Sequence, residues 1–404
     1  MFTFNPEQER VITNAVNHIK NDNSSELVYQ FSGKAGTGKT TVIKEIIRRI
    51  GIPEHRVAVM TYIGQASIVL RTKGIMNAKT IHSWLYYMSE EPVYQNGEIV
   101  RDPVYNKPVT KMVFRKKASL DDIDYIIIDE AYTVPKRMRK DIESFGIKII
   151  ASGDKHQLPP VGDEPAFLVD GHIDYLTQNM RQGEGSMILE LADYLSNGYT
   201  ISPGFYGGEV LIIEDKDLTD QMILNSNIMI CAKNATRDEL NHYVRHNLLH
   251  IPVNQKLPIY GEKVICRKNE WDNEVNGISL ANGLIGTVIN DVSPLDLDRK
   301  KKEFTIDFKP DLFNGIFYDV HCDYEYFTAN SNMRQQLKNN PFSRGSKFEF
   351  ADAITTHLSQ GAQYPQGIYF KEYFRKDLQC NLDYTGVTRF SKFEIVVLYS
   401  KHLY

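Results

Sequence analysis

Residues 33–40 read Gly33-Lys34-Ala35-Gly36-Thr37-Gly38-Lys39-Thr40, a complete G-x-x-x-x-G-K-T loop. Its glycines let backbone N–H groups close around a phosphate chain. Lys39 reaches the β- and γ-phosphates, and the Thr40 hydroxyl suits a magnesium ion. An apolar run at 27–31 precedes the loop and a helical-looking stretch at 41–50 follows it. The loop therefore sits between a strand and a helix, and the helix N-terminus adds to its preference for an anion. Gly33, Ala35, Gly36, Thr37, Gly38, Lys39, Thr40 and Thr41 form the candidate nucleotide-binding set, with ATP and Mg²⁺ as the implied ligands.

Hydrolysis at such a loop needs an acid for the metal and a base for the attacking water. Tyr125-Ile126-Ile127-Ile128-Asp129-Glu130 supplies both. Four apolar residues in a row predict a buried parallel strand. Its end delivers two carboxylates to the sheet edge where open α/β sheets bind ligands. Asp129 is the candidate metal carboxylate, directly or through water, and Glu130 the candidate general base. Solvated strand ends often carry acids, so the pair gains its meaning from the loop at 33–40. A further apolar run at 147–150 leads into Gly153-Asp154-Lys155-His156-Gln157-Leu158-Pro159-Pro160-Val161. The Gln157 amide can touch both the γ-phosphate and the water, and the prolines stiffen the exit.

The elements that must position these groups follow from periodicity. Residues 7–20 have helical spacing, Val57–Thr61 reads as a short strand, and 65–70 begins another helix. Strand–helix alternation predicts a parallel sheet. The alternation breaks at 86–118, where Tyr86, Tyr87, Tyr94 and Tyr105 mix with Lys107, Lys111, Arg115, Lys116 and Lys117. Asn96-Gly97 between two apolar pairs predicts a β-hairpin there. A second apolar and helical series starts near 176 and includes 228–232 and a helix over 235–247. From 253 to 350, strand-like pieces at 263–267, 284–290, 303–308 and 316–322 suggest a small barrel. The basic run at 299–302 reads as a solvated loop.

With these blocks in place, the chain resembles the superfamily 1 helicases, most of all the RecD and Dda-like branch (SF1B), from residue 5 to residue 399. Asn5-Pro6-Glu7-Gln8 stands where that family has its Q motif, so the resemblance implies that Gln8 reads the adenine. Thr61-Tyr62-Ile63-Gly64-Gln65-Ala66 and Thr80-Ile81-His82-Ser83 stand where the family contacts single-stranded DNA. Asp129-Glu130-Ala131 and residues 153–161 match motifs II and III. Leu176-Thr177-Gln178-Asn179-Met180-Arg181 resembles motif IV, and Tyr384-Thr385-Gly386-Val387-Thr388-Arg389 motif VI, which makes Arg181 and Arg389 the expected arginine fingers. Thr355-Thr356-His357-Leu358-Ser359-Gln360-Gly361 resembles motif V. The implied catalytic set is Lys39, Glu130, Gln157, Arg181 and Arg389, with Thr40 and Asp129 on the metal. The implied DNA-contact set is Thr61, Tyr62, Gln65, His82, Thr355 and His357. His82 could equally be a buried histidine bonded to a carbonyl, and Trp84 reads as core. Three departures fall on DNA-facing or coupling positions: Tyr62 for proline, Tyr132 for serine and Leu358 for lysine.

The resemblance implies an α/β fold with two RecA-like domains. The first covers 1–170 and carries a hairpin or wedge subdomain at about 86–118. The second covers 171–252 and 351–404, with an SH3-like β-barrel insertion at 253–350. It implies an ATP-dependent helicase moving 5′ to 3′ on single-stranded DNA in replication, recombination or repair. Its partners would be single strands, single-strand/duplex junctions, and a single-strand-binding or replication protein. The alternative is an ATPase that tracks single strands and displaces bound proteins with little unwinding. RNA stays open as a substrate, because stacking does not discriminate sugars. Short spacers between motifs point to a phage-encoded enzyme.

Composition bounds these expectations. The 404 residues suffice for two or three domains, and 42% hydrophobic residues for real cores. Net charge is −4, from 47 basic and 51 acidic side chains, which argues against a general DNA coat but leaves room for a locally basic groove. Cys231, Cys266, Cys322 and Cys380 have no paired spacing, so neither a disulfide framework nor a zinc site is expected. The N-terminal residues do not read as a signal peptide, and no apolar run approaches the ~18 residues of a membrane span. A cytoplasmic setting is the expectation.

Overall fold

The structure, a computed structural model, describes residues 3–21, 26–101, 106–180, 186–292, 297–298, 302–338 and 345–399, without the side chains of Met112 and Trp271. Arg181, Tyr105 and residues 299–301 lie outside the described residues. The chain divides into two compact units, one of residues 1–85, 117–232 and 356–404, the other of 86–116 and 233–355.

The first unit contains a six-stranded parallel sheet. Its strands run in the order Ile173–Leu176, Val28–Gly33, Lys148–Gly153, Tyr125–Ile128, Val57–Thr61, Lys79–Thr80. The run 125–128 is buried at every position, as four consecutive apolar residues predict. The helices Pro6–Lys20 and Lys39–Ile50 lay Val11, Ile12, Ala15, Val42, Ile43 and Ile46 over Phe31, Val57, Val59, Ile127 and Ile150. This order has a direct consequence for chemistry. The strand ending in the phosphate loop neighbours the strand ending at Gly153, which neighbours the strand ending before Asp129 and Glu130.

The sheet also corrects one boundary. Ile173–Leu176 pairs with Val28–Gly33, so the first core extends past residue 170. Asp174 explains the attachment: Tyr29 Oη and Asn14 Nδ2 both donate to its Oδ2, at 2.7 and 2.9 Å. A second group of strands in the same unit runs Gly204–Tyr206, Val210–Glu214, Phe390–Leu398, Tyr364–Lys371, Met229–Cys231. All its pairings are parallel except the edge hairpin at 204–214.

In the second unit, Tyr86–Pro92 pairs antiparallel with Thr110–Lys116, Tyr86 opposite Lys116 and Pro92 opposite Thr110. Its tip pairs Tyr94–Gln95 with Glu98–Ile99. Asn96 and Gly97 both have positive φ, 51° and 84°, as an Asn-Gly hairpin turn requires. A five-stranded antiparallel sheet orders Phe317–Asp323, Glu303–Pro310, Ile285–Val288, Lys263–Cys266, Phe348–Phe350. Ser346 bridges to Cys322, with Ser346 N–H donating to the His321 carbonyl at 2.7 Å and Asp323 N–H to the Ser346 carbonyl at 3.0 Å. The two edges of the sheet thereby meet around Phe304, Phe308, Phe317 and Phe348. The ribbon Glu270–Val275 with Ile278–Leu280 has no counterpart in the sequence reading.

Residues 233–252, which the sequence reading gives to the second core domain, fall in the second unit and form ion pairs with this sheet and the residue before it. Buried ion pairs tie Arg237 to Glu349 at 2.9 Å and Arg245 to Glu262 at 2.8 Å. Asn241 Nδ2 donates to the Ala353 carbonyl and its Oδ1 accepts from Ala353 N–H, each at 2.9 Å, and Nδ2 also donates to the Arg237 carbonyl at 3.0 Å.

Candidate active site

A cavity of about 330 Å³ opens at the carboxyl edge of the parallel sheet. Ala35, Gly36, Gly38, Lys39, Thr40 and Thr41 line it, together with Gln8, Asp129, Glu130, Gln157 and Arg389. The sequence-predicted nucleotide set thus converges, apart from Gly33 and Thr37, which shape the loop behind it. A Cβ on Gly33 would stand 2.4 Å from Thr37 Oγ1. Gly36 and Gly38 have φ of 88° and 82°, a region other residues adopt only under strain. Lys39 Nζ donates to the carbonyls of Gly33 at 2.7 Å and Lys34 at 3.2 Å, folded back over the loop.

Gln8 belongs to a capping box. Asn5 Oδ1 accepts from Gln8 N–H at 2.8 Å and Gln8 Oε1 accepts from Asn5 N–H at 3.2 Å. Gln8 Nε2 also donates to the Thr37 carbonyl at 3.1 Å, so the amide braces the phosphate loop while lining the cavity.

The acids differ from each other in environment. Asp129 is buried, its Oδ1 has no hydrogen-bond partner, and burial followed by the neighbouring Glu130 charge pushes its carboxyl up to about 6. A carboxylate held dry beside a second carboxylate is short of a cation, so the donor set fits a divalent ion. Glu130 has φ of 52°, a left-handed conformation that is costly for a non-glycine residue and concentrates at functional sites. Gln157 is buried and its Oε1 has no partner either.

Arg389 reaches the same cavity from the segment after the helix Gln379–Val387. Its Nε, Nη1 and Nη2 donate to the Thr385 carbonyl, the Ala362 carbonyl and Thr388 Oγ1 at 3.0, 3.2 and 3.1 Å. Burial pulls the guanidinium below its ordinary value, and the Glu130 charge leads the charges that oppose this. Arg181 lies outside the described residues, next to Met180, whose N–H donates to the Gly36 carbonyl at 2.9 Å.

The predicted DNA-contact residues divide. Tyr62 and His82 face each other with ring centroids 6.1 Å apart. His82 is partly buried, and burial followed by the Arg137 charge lowers its pKa. Thr61 and Gln65 are buried, and Thr61 Oγ1 turns back to the Ile63 carbonyl at 2.9 Å. His357 packs edge-on against Phe374, centroids 6.0 Å apart, and burial lowers its pKa. Thr355 ends a buried strand of the second unit. Trp84 donates from Nε1 to the Val59 carbonyl at 3.0 Å.

The sequence reading does not anticipate Met180, Lys73, Val69, Gln363 or Thr388 in the cavity wall. It also misses the helix face Asn381, Tyr384 and Thr385, which holds the loop carrying Gln157. The spacing i, i+3, i+4 of Asn381, Tyr384 and Thr385, which one face of a helix brings together, is the signal that could have marked it.

A phosphate loop, a buried aspartate, a strained glutamate, a glutamine and an arginine around one cavity define a P-loop nucleoside triphosphatase. Comparison with known proteins agrees: the AAA domain family matches residues 3–206, and the chain belongs to it. The ATP-dependent DNA helicase Pif1 of Psychrobacter sp. (strain PRwf-1) is 29% identical over 181 residues, 38% of this chain and 25% of that protein. The ATP-dependent DNA helicase RRM3 of Saccharomyces cerevisiae is 26% identical over 162 residues, 38% of this chain and 20% of that protein. The match therefore spans a quarter or less of these relatives. Among solved structures, Bacteroides Pif1 bound to single-stranded DNA has a TM-score of 0.59 at 17% identity, covering 98% of this chain and 92% of that one. A structure of two coordinating Pif1 helicases on forked double-stranded DNA has a TM-score of 0.58 at 19% identity, with the same coverage. The chain thus shares the fold of these Pif1 structures. Among the described residues, no helix is long and apolar enough to cross a membrane.

Proposed function

We propose that this chain is an ATP-dependent DNA helicase that translocates on single-stranded DNA in the 5′-to-3′ direction and serves replication, recombination or repair. The observation that carries the reading is the single cavity in which Lys39, Thr40, Asp129, Glu130 and Gln157 meet Arg389. Glu130 takes a proton from a water that Gln157 orients. The water oxygen bonds to the γ-phosphorus as the bond to the β-phosphate oxygen breaks, releasing ADP and phosphate. Lys39 and Arg389 stabilise the charge on the transferring group, and an arginine in this role is worth about 10³-fold or more in rate. Thr40 and Asp129 would hold Mg²⁺, which supplies charge neutralisation on the phosphates.

Tyr62 and His82 together offer an aromatic surface suited to stacking on bases. Thr355, His357, Thr61 and Gln65 keep their DNA assignment on their motifs, and Arg181 its finger assignment likewise. The hairpin at 86–116 exposes Tyr87, Tyr94 and Phe114, side chains suited to a wedge against base pairs, and we assign it that role. The sheet closed at Ser346 supports the SH3-like assignment of the insertion. The DNA substrate is inferred from the Pif1 relatives.

The test measures ATP hydrolysis and unwinding on partial duplexes with either a 5′ or a 3′ single-stranded tail, with Lys39→Ala as control. Hydrolysis stimulated by DNA with unwinding from the 5′ tail alone is the expected result. Stimulated hydrolysis without unwinding from either tail would replace the helicase with a tracking ATPase. Hydrolysis indifferent to DNA would overturn the substrate.

A further inference from the structure

The loop from Asp154 to Leu158 carries Gln157, and several of its backbone groups are held by the helix Gln379–Val387 and by Gln360. Asn381 Nδ2 donates to the carbonyls of His156 and Gln157, both at 3.0 Å, and more weakly to that of Lys155 at 3.4 Å. Thr385 Oγ1 accepts from Leu158 N–H at 2.9 Å, and Gln360 Nε2 donates to the Leu158 carbonyl at 2.9 Å. Tyr384 Oη donates to Asp154 Oδ2 at 2.6 Å, while Asp154 Oδ1 accepts from His156 N–H at 3.0 Å and closes the turn. The His156 ring packs on Tyr384, centroids 5.6 Å apart. Asn381, Tyr384 and Thr385 stand at i, i+3 and i+4, on one face of one helix.

Tyr384 makes a second bond. Its oxygen accepts from Ala35 N–H at 2.9 Å, inside the phosphate loop. One buried hydroxyl therefore joins the loop that holds the phosphates to the loop that holds Gln157. The Gln157 side chain, by contrast, lines the cavity with its Oε1 unpartnered. The backbone around Gln157 is fixed and its amide is left for a ligand. The same helix runs directly into Thr388 and Arg389, and Arg389 Nε bonds the Thr385 carbonyl. Gln157 and Arg389 are thus positioned by one rigid turn.

We propose that Tyr384, assisted by Asn381, is a positioning residue that sets the Gln157 amide against the phosphate loop, so that the helix Gln379–Val387 delivers Gln157 and Arg389 to the reacting phosphate as one piece. The inference rests on the proposed ATP hydrolysis and adds residues to its machinery. Removing the Tyr384 hydroxyl keeps the ring but frees Asp154 Oδ2 and Ala35 N–H from each other. A catalytic amide that drifts by about 1 Å loses on the order of 100-fold in rate. Nucleotide binding, which rests on the other loop contacts, changes little.

The test is steady-state ATP hydrolysis at saturating single-stranded DNA for the full chain and for Tyr384→Phe, Asn381→Ala, Gln157→Ala, each of the first two combined with Gln157→Ala, and Lys39→Ala. Tyr384→Phe should lower kcat roughly 10- to 100-fold with KM for ATP nearly unchanged. In the Gln157→Ala background it should add nothing, because two residues acting through one group are not additive. Asn381→Ala should show the same pattern more weakly, and it decides the matter if Tyr384→Phe fails to fold by its thermal transition. An unchanged kcat, a rise in KM alone, or an equal fall with and without Gln157 would each overturn the proposal. Full hydrolysis by Lys39→Ala would instead overturn the proposed function, and this inference with it.

Discussion

Gly36 and Glu130 show how the site is built at the scale of single residues. A Cβ on Gly36 would lie 2.5 Å from Asn179 Oδ1, and its φ of 88° is a further obstacle. The backbone strain alone is about 1–2 kcal/mol, roughly ten-fold in affinity. Gly36→Ala should therefore weaken nucleotide binding by at least roughly that factor, read by titration with a fluorescent ADP analogue. Glu130 carries the opposite kind of strain, a left-handed backbone at a residue that has a side chain. Its chemistry is separable from binding. Glu130→Gln should lower single-turnover hydrolysis by about 10²- to 10⁴-fold with nucleotide affinity retained. Equal loss of both would remove Glu130 from the role of base. Asp129 is buried and unpartnered at Oδ1, so the proposed hydrolysis should need a metal: chelation of Mg²⁺ by EDTA should abolish turnover, and restored Mg²⁺ should return it.

At the scale of elements, Glu349 on the strand Phe348–Phe350 holds the helix Asn234–Tyr243 through Arg237. Burial alone would raise its carboxyl, but the Arg267, Arg237 and Arg334 charges hold it down at about 2. The folded value is below the ordinary 4.5, so this stabilisation is complete above about 4.5 and fades as pH falls toward about 2. Amide exchange in 346–350 should accelerate through that window, and Glu349→Gln should flatten the dependence. The mutant takes the buried carboxylate from Arg267 outright, while Arg237 and Arg334 keep Asp238, so it should also be destabilised at neutral pH, by about 3 kcal/mol. The hairpin at 86–116 makes a second prediction. Tyr87 and Phe114 are exposed, at 51% and 46%, on opposite faces of the ribbon, since Tyr87 stands opposite Arg115 and Phe114 opposite Met88. Tyr87→Ala with Phe114→Ala should keep DNA-stimulated hydrolysis and lose duplex unwinding, measured on the same tailed substrates. Loss of both would make the hairpin a folding element rather than a wedge.

For the whole molecule, the parallel sheet was readable because each motif sits at the end of its own apolar run. The strands 28–33, 125–128 and 148–153 announce themselves locally, and their carboxyl ends must share one edge once they pair in parallel. The boundary at 170 failed because Ile173–Leu176 is short and its attachment depends on Tyr29 and Asn14, about 150 residues away in the chain. The contacts of the helix after residue 233 were not legible for the same reason: its anchors, Glu349 and Ala353, lie more than 100 residues on. The Asn-Gly turn succeeded because two adjacent residues decide it. The modest charge of −4 excludes nothing at the site, since the cations that count, Lys39 and Arg389, are placed one by one.

The sequence by itself determined the phosphate loop, the Asp129–Glu130 pair and the glutamine after the next strand. In each, adjacent residues act on a shared ligand through backbone geometry and side-chain type, so spacing suffices. Only the tertiary structure decided that Thr61 and Gln65 are buried while Tyr62 meets His82, and that Arg389 shares a cavity with Glu130. It alone placed the Tyr384 hydroxyl between Asp154 and Ala35. Those contacts join residues as far as 349 positions apart. Their distances are set by how helices and sheets pack, which no local pattern of residue types encodes.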